Sequence, residues 1–208
     1  MILIFDTETT GLINWKAPLT DNTQPRLVQL GLIICEDDGK IKKEKSLVVK
    51  PEGYIIPPNM VHGITHEFAL EKGVTMTEAL LAIRNAMTLC DLHIAHNYVF
   101  DRAILLGEFR RAKLDESNFS KDSFCTMLNT TNICCIPKKN GKKGNKWPKL
   151  EEAYEYFFGE KMEGAHDALA DCRAAHRIYF EGLLPLNYHS YNGQKEQTLQ
   201  KVGTEPGS

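Results

Sequence analysis

No stretch of the sequence approaches the roughly 18–20 apolar residues in a row that a membrane-spanning helix needs, so no membrane role is expected. No Cys-x-x-Cys pair occurs among the six cysteines, and the adjacent Cys134 and Cys135 are poorly placed for tetrahedral metal ligation. No signal peptide opens the chain, so the thiols are expected to be reduced and the protein cytoplasmic. No Gly-x-x-x-x-Gly-Lys-Ser/Thr segment occurs, which excludes a nucleotide-hydrolysing motor of the P-loop kind. Positive charge is not in excess: 25 Lys and Arg stand against 27 Asp and Glu, a net charge of −2. A nucleic acid could therefore be attracted only by a local basic patch. There is no internal repeat. What is present is ordinary: 208 residues, 42% hydrophobic and 25% charged, enough for one domain with a substantial core.

The organising stretch is the first one. Met1 to Phe5 is an apolar run that reads as a strand buried on both faces, and it meets two acids, Asp6 and Glu8. Their i, i+2 spacing puts both side chains on one face of a strand. Two carboxylates side by side at the end of a core strand repel each other and lose hydration, and a hard divalent cation is the simplest offset. Thr9-Thr10-Gly11 then turns the chain, with Gly11 free to take positive φ or to let a ligand approach.

A loop over 13–26 leads to a second strand, 27–35. The Asp37-Asp38-Gly39-Lys40 turn signals a hairpin into a third strand, 41–50, whose charges at 42–45 suit a sheet edge. These three strands are expected to be antiparallel. Short helical structure is predicted over 66–72, and Thr75 reads as the cap of a helix over 76–89. A fourth strand follows over 92–95, then a helix from about 98 to 113 with Asn97 as its candidate cap. A fifth strand is expected at 123–126 and helices at about 149–158 and 168–183. Residues 137–149 hold six lysines and no acid, which reads as a mobile loop that could meet phosphates. A domain over 1–183 and a disordered tail over 184–208 complete the expected organisation.

Two of the predicted helices carry an acid on the apolar stripe. Asp101 aligns with Leu105, Phe109 and Ala112; Asp171 aligns with Ala174, Ala175 and Ile178. A carboxylate there is expensive unless paired or bound to metal. With Asp6 and Glu8 these make four hard oxygen-donor side chains, the composition a two-metal phosphoryl-transfer centre uses. His166 stands five residues before Asp171, beside a predicted helix N-terminus, where a neutral imidazole could take a proton from water.

Together, Asp6-x-Glu8, His96-Asn97-x-x-Phe100-Asp101 and His166-x-Ala168-x-x-Asp171 resemble the three motifs of the DEDD superfamily of 3′→5′ exonucleases. The histidine five residues before the last Asp marks the DEDDh branch, and Val61-His62-Gly63-Ile64-Thr65 looks like that family's intermediate segment. The resemblance covers about residues 1–181 and extends to the proofreading epsilon subunit of bacterial DNA polymerase III. It implies a ribonuclease H-like fold: α/β, with a mixed five-stranded sheet and helices on both faces. It implies two divalent metal ions, Mg²⁺ or Mn²⁺, held by Asp6, Glu8, Asp101 and Asp171, with Asp6 bridging and His166 as general base. Thr9, Gly11, Leu12 and His62 would contact the terminal nucleotide. The implied partner is the 3′ end of a single strand, DNA above RNA, and a DNA polymerase is the implied protein partner. Two other classes compete: a phosphatase of the haloacid dehalogenase type, which would use Asp-x-Asp and fits Glu8 and His166 poorly, and a non-catalytic nucleic-acid- or polymerase-binding module.

Overall fold

Strand β1 (Ile2–Thr9) is the central strand of a five-stranded sheet of order β3-β2-β1-β4-β5. The structure is a computed structural model and describes residues 1–139 and 143–186. Strands β2 (Leu27–Cys35) and β3 (Ile41–Val48) run antiparallel to their neighbours, as expected; β4 (Leu92–Ala95) and β5 (Asp122–Cys125) are added in parallel on the other side of β1. β2 is buried along its whole length, whereas β3 is largely exposed, in keeping with its edge position and its charges.

The period-two alternation of β1 sorts its side chains between two helical layers. Leu3 and Phe5 pack with Leu80 and Ile83 of α2 (Met76–Leu89) and with Leu105 and Phe109 of α3 (Tyr98–Arg111). Ile2 and Ile4 pack on the opposite face with Cys172 and Ala175 of α6 (Ala168–Arg177). By the same alternation Asp6 and Glu8 fall on the α6 face and Thr7 on the α3 face. The first helix, α1 (His66–Lys72), lies where it was expected. Thr75 caps α2 in a reciprocal box: its hydroxyl accepts from the Glu78 amide at 3.2 Å, and the Glu78 carboxylate accepts from the Thr75 amide at 2.8 Å.

Several expectations are corrected. The opening strand does not stop at the acids; it carries both and stays paired with β2 as far as Thr9. Only the β4 side ends early, at Ile4↔Ile94. Asn97 precedes α3 but makes no capping bond with its side chain, because its backbone is left-handed, φ 71°. Ala112 follows the end of α3 and is exposed. The residue after β5, Thr126, opens an unpredicted helix, α4 (Thr126–Cys134), which packs against α5 (Leu150–Phe158) through Cys134 and Ala153. After α6 the backbone widens into a π-helical stretch, Ile178–Leu183, and stays helical through residue 186. Residues 187–208, most of the expected tail, lie outside the described residues, as do 140–142 of the lysine-rich segment. Within that segment Pro137 and Asn145 form an isolated antiparallel bridge. All six cysteines are free thiols, and no helix among the described residues is long and apolar enough to cross a membrane.

Candidate active site

Where β4 stops pairing, the edge of β1 opens, and an acid from α3 fills the gap. The Thr7 amide and hydroxyl donate to Asp101 Oδ1 at 3.0 and 2.6 Å, so the first turn of α3 accepts a strand amide that has no β4 carbonyl opposite it. On the other face, α6 is brought down onto the sheet at Gly31, the residue paired with Asp6. A Cβ at Gly31 would lie 2.2 Å from the Ala168 carbonyl oxygen, so only glycine permits this approach. Gln29, opposite Glu8 on β2, fixes the start of α6: it accepts from the Ala168 amide at 3.1 Å and donates to Asp167 at 2.7 Å. Asp167 in turn accepts from the Leu169 and Ala170 amides, capping the helix.

These contacts bring Glu8, His166 and Asp171 together, with one ligand-type atom from each inside a sphere of contacts no longer than 4.8 Å. Asp6 and Asp101 complete the cluster, and their effect on the others is electrostatic. Burial holds the Asp6 carboxyl well above the usual range, and the charges of Asp101, Asp171 and Glu8 add to it. Burial, then Asp171 and Asp101, pushes Glu8 up to about 8. Asp101 rises to about 7 because burial outweighs its two bonds from Thr7. Asp171 also rises to about 7, mainly through burial, with the His166 amide acting in the opposite direction. Among the described residues none of the four forms an ion pair with Lys or Arg.

Burying unpaired carboxylates costs several kcal/mol per ion, whereas a fully buried Leu, Ile or Phe contributes about 1.5–3 kcal/mol, so this cluster consumes the burial of several core side chains. Asp171 Oδ1 is buried with no hydrogen-bond partner among the described residues. An orphaned carboxylate oxygen, surrounded by other acids and no cationic side chain, fits a hard divalent cation.

A family model described as Exonuclease (RNase T) matches residues 3–179. The chain belongs to this exonuclease family. The four acids and the histidine expected at the site, Asp6, Glu8, Asp101, Asp171 and His166, fall within the matched span. In structure the chain is similar to E. coli exonuclease I in complex with a dT13 oligonucleotide, at 20% identity and TM-score 0.71, over 91% of this chain and 42% of that one. It is similar to the zinc-bound form of the E. coli exonuclease I complex with single-stranded DNA, at 21% identity and TM-score 0.68, over 86% and 39%. It is also similar to exonuclease I in its apo form, at 19% identity and TM-score 0.69, over 97% and 46%. The chain thus spans about two-fifths of the length of these proteins, and the likeness shows the ribonuclease H-like fold. A comparison with curated proteins finds no match.

The remaining predicted residues of this family member lie around the cluster. Thr9 is buried and its hydroxyl donates to the Gly11 carbonyl at 2.7 Å. Gly11 has no positive φ, and the space around it is open, so it allows approach rather than serving a strained turn. Leu12 is 86% exposed, unusual for an apolar side chain beside a buried strand. His62 accepts from the Ile64 amide through Nδ1 at 3.0 Å, which puts its proton on the buried Nε2. Burial holds the imidazole pKa down, with the Thr9 backbone opposing and His166 adding to the effect. His166 is half-exposed, has left-handed backbone, φ 70°, and places Nε2 3.6 Å from Glu151 Oε1.

Four supporting residues went unnoticed in the sequence: Thr7, Gln29, Gly31 and Glu151. Gln29, a polar residue inside an apolar nine-residue strand, was the one visible signal.

Proposed function

We propose that the chain is a metal-dependent 3′→5′ exonuclease releasing nucleoside 5′-monophosphates from single-stranded nucleic acid, DNA above RNA. The observation that carries this is the convergence of four carboxylates with raised pKa values and no cationic partner, one of them with an orphaned oxygen. Asp6, Glu8, Asp101 and Asp171 would hold two Mg²⁺ or Mn²⁺ ions. Bound there, the ions would supply charge neutralisation at the scissile phosphate and polarise the attacking water. His166, on an exposed turn at the rim, takes the proton from that water, and its exposure lets it pass the proton to solvent. Thr9, Gly11, Leu12 and His62 receive the terminal nucleotide.

The solved complexes of exonuclease I with single-stranded DNA support a strand of that kind as substrate. Proofreading beside a DNA polymerase and independent end-trimming both use this reaction. The phosphatase alternative needs Asp6 as an ionised nucleophile, and burial among acids opposes that.

Incubation with 5′-labelled single-stranded DNA, duplex DNA and RNA, with Mg²⁺ or Mn²⁺ and with excess chelator, tests the assignment. A ladder shortening from the 3′ end, abolished by chelator, is the expected result; undiminished cleavage in chelator overturns it. His166→Ala is expected to lower kcat by about 10²–10⁴-fold while leaving Mg²⁺ binding by calorimetry unchanged. A parental kcat removes His166 from the chemistry.

A further inference from the structure

The sequence has two tryptophans, and both line one surface groove. The groove encloses about 740 Å³, and its lining includes Leu12, three residues past the end of β1, and Asn97, which precedes the helix that carries Asp101. Trp15 is 62% exposed and Trp147 is 65% exposed, and Val99 and Leu128 beside them are about half-exposed. A buried Trp would hide about 150–250 Å², so two left outside on one groove forgo a large stabilisation. A contiguous exposed apolar surface of this kind marks a binding site.

Both loops are stapled from beneath by a polar side chain, and the ring is left outside. Under Trp15, the buried Gln24 amide donates to the carbonyls of Asn14 at 2.9 Å, Ala17 at 3.1 Å and Pro18 at 3.1 Å, and accepts from the Asn14 amide at 3.1 Å. Under Trp147, His96 bonds the Pro148 carbonyl through Nε2 at 3.1 Å and the Thr126 hydroxyl through Nδ1 at 2.9 Å. A carbonyl only accepts, so Nε2 carries the proton and Nδ1 accepts from Thr126; burial supports this neutral form by lowering the pKa to about 4. On the other side of Trp147, Lys146 donates its amide to Ile136 at 2.8 Å and its ammonium to Glu152 at 2.5 Å. The two rings are thus presented on fixed backbone, which removes the ordering cost of binding.

Lys16, Lys138, Lys139, Lys143 and Lys149 are exposed on the same two loops. Aromatic faces flanked by positive charge suit a polyanion that carries its own flat rings. A duplex hides those rings within its stack; a single strand offers them.

We propose that Trp15 and Trp147 form a stacking clamp for the unpaired bases behind the 3′-terminal nucleotide, which makes single strands the selected substrate. The clamp rests on the exonuclease function proposed above. Stacking reads the ring face and ignores the sugar, so the clamp accepts DNA and RNA alike.

Because the chain has no other tryptophan, its intrinsic fluorescence reports the groove directly. With chelator present to prevent turnover, oligothymidylate of about fifteen nucleotides is expected to quench the emission, and a blunt duplex of the same length is not. Trp15→Ala and Trp147→Ala are each expected to raise KM on the oligonucleotide about 5- to 100-fold at unchanged kcat, from stacking energies typical of single-strand binders. Both variants should hydrolyse the p-nitrophenyl ester of thymidine 5′-monophosphate, which has no upstream base, at the parental rate. Trp→Phe variants should recover most of the KM. Emission unmoved by oligothymidylate, equal quenching by duplex, or parental KM in both Ala variants overturns the clamp. Failure of the parent protein to cleave either substrate would instead overturn the exonuclease function, and the chelated quenching would still decide the clamp.

Discussion

Asp101 and Glu108 lie two turns apart on α3, only 2% and 1% exposed, and the protein treats them in opposite ways. Glu108 is enclosed by cations: Arg26 donates to it twice, at 2.7 and 3.0 Å, Arg111 approaches to 3.5 Å, and the Leu27 amide adds a bond at 3.3 Å. Asp101 receives only neutral donors from Thr7 and faces three more acids. The same helix therefore holds an acid whose charge the fold satisfies and one whose charge the fold leaves open. Burial of an acid does not by itself mark a site; burial without a cation does.

The largest effect expected is on Asp6. Asp6→Asn should leave no measurable nuclease turnover, yet its melting temperature without metal should equal or exceed that of the parent, because a repelling charge has gone. A clear fall in melting temperature would show that Asp6 is a structural acid of the Glu108 kind and would erase the contrast. Arg26→Met should do the reverse. Leaving Glu108 buried and alone should cost about 3–5 kcal/mol in urea unfolding, while the folded fraction keeps its specific activity. Adding Glu108→Leu to that variant should recover much of the loss, since both halves of the pair are then gone; no recovery would mean that Arg26 acts mainly through its stacking on Tyr54.

The third effect is graded with pH. Because the folded pKa values of Glu8, Asp101 and Asp171 are raised, the folded protein holds protons that the unfolded chain has released. Without metal, this contribution to stability is fully present below about pH 4 and is lost as pH rises to about 8, at about 1.4 kcal/mol per pH unit for each proton so held. Millimolar Mg²⁺ should flatten the slope above pH 6, and Glu8→Gln should reduce it. A pH-independent stability in chelator would mean that the carboxylates are already satisfied in the folded protein.

The acids at the site were legible because each breaks a pattern: Asp6 and Glu8 interrupt an apolar strand, and Asp101 and Asp171 interrupt apolar helical stripes. Glu108 breaks the α3 stripe in the same way, and the sequence does not show that Arg26, 82 residues away, answers it. The strands were legible from their β-branched runs and the Asp-Gly turn, where Gly39 has φ 92°. Helix α4 was not, because Thr126 to Cys134 is rich in Thr and Asn, which favour a helix weakly; packing on α5 through Cys134 decides it. Asn97 misled for a related reason: its tolerance of left-handed backbone, and not its capping ability, is what the position uses. The His96 staple depends on partners 30 and 52 residues away, and local patterning carries no trace of those.

The contact at Gly31 bears on how this centre tolerates change. Helix α6 rests there on main-chain atoms of β2, with no side chain between them. The separation between Asp171 and the β1 acids is therefore set by a stop made of backbone, one that does not change length when neighbouring side chains are exchanged. Leu3, Ile33 or Ile94 can be repacked, and the sheet can drift with them, while the gap that would receive a cation stays at the same gauge. A single methyl at position 31 is the smallest shim that would open it.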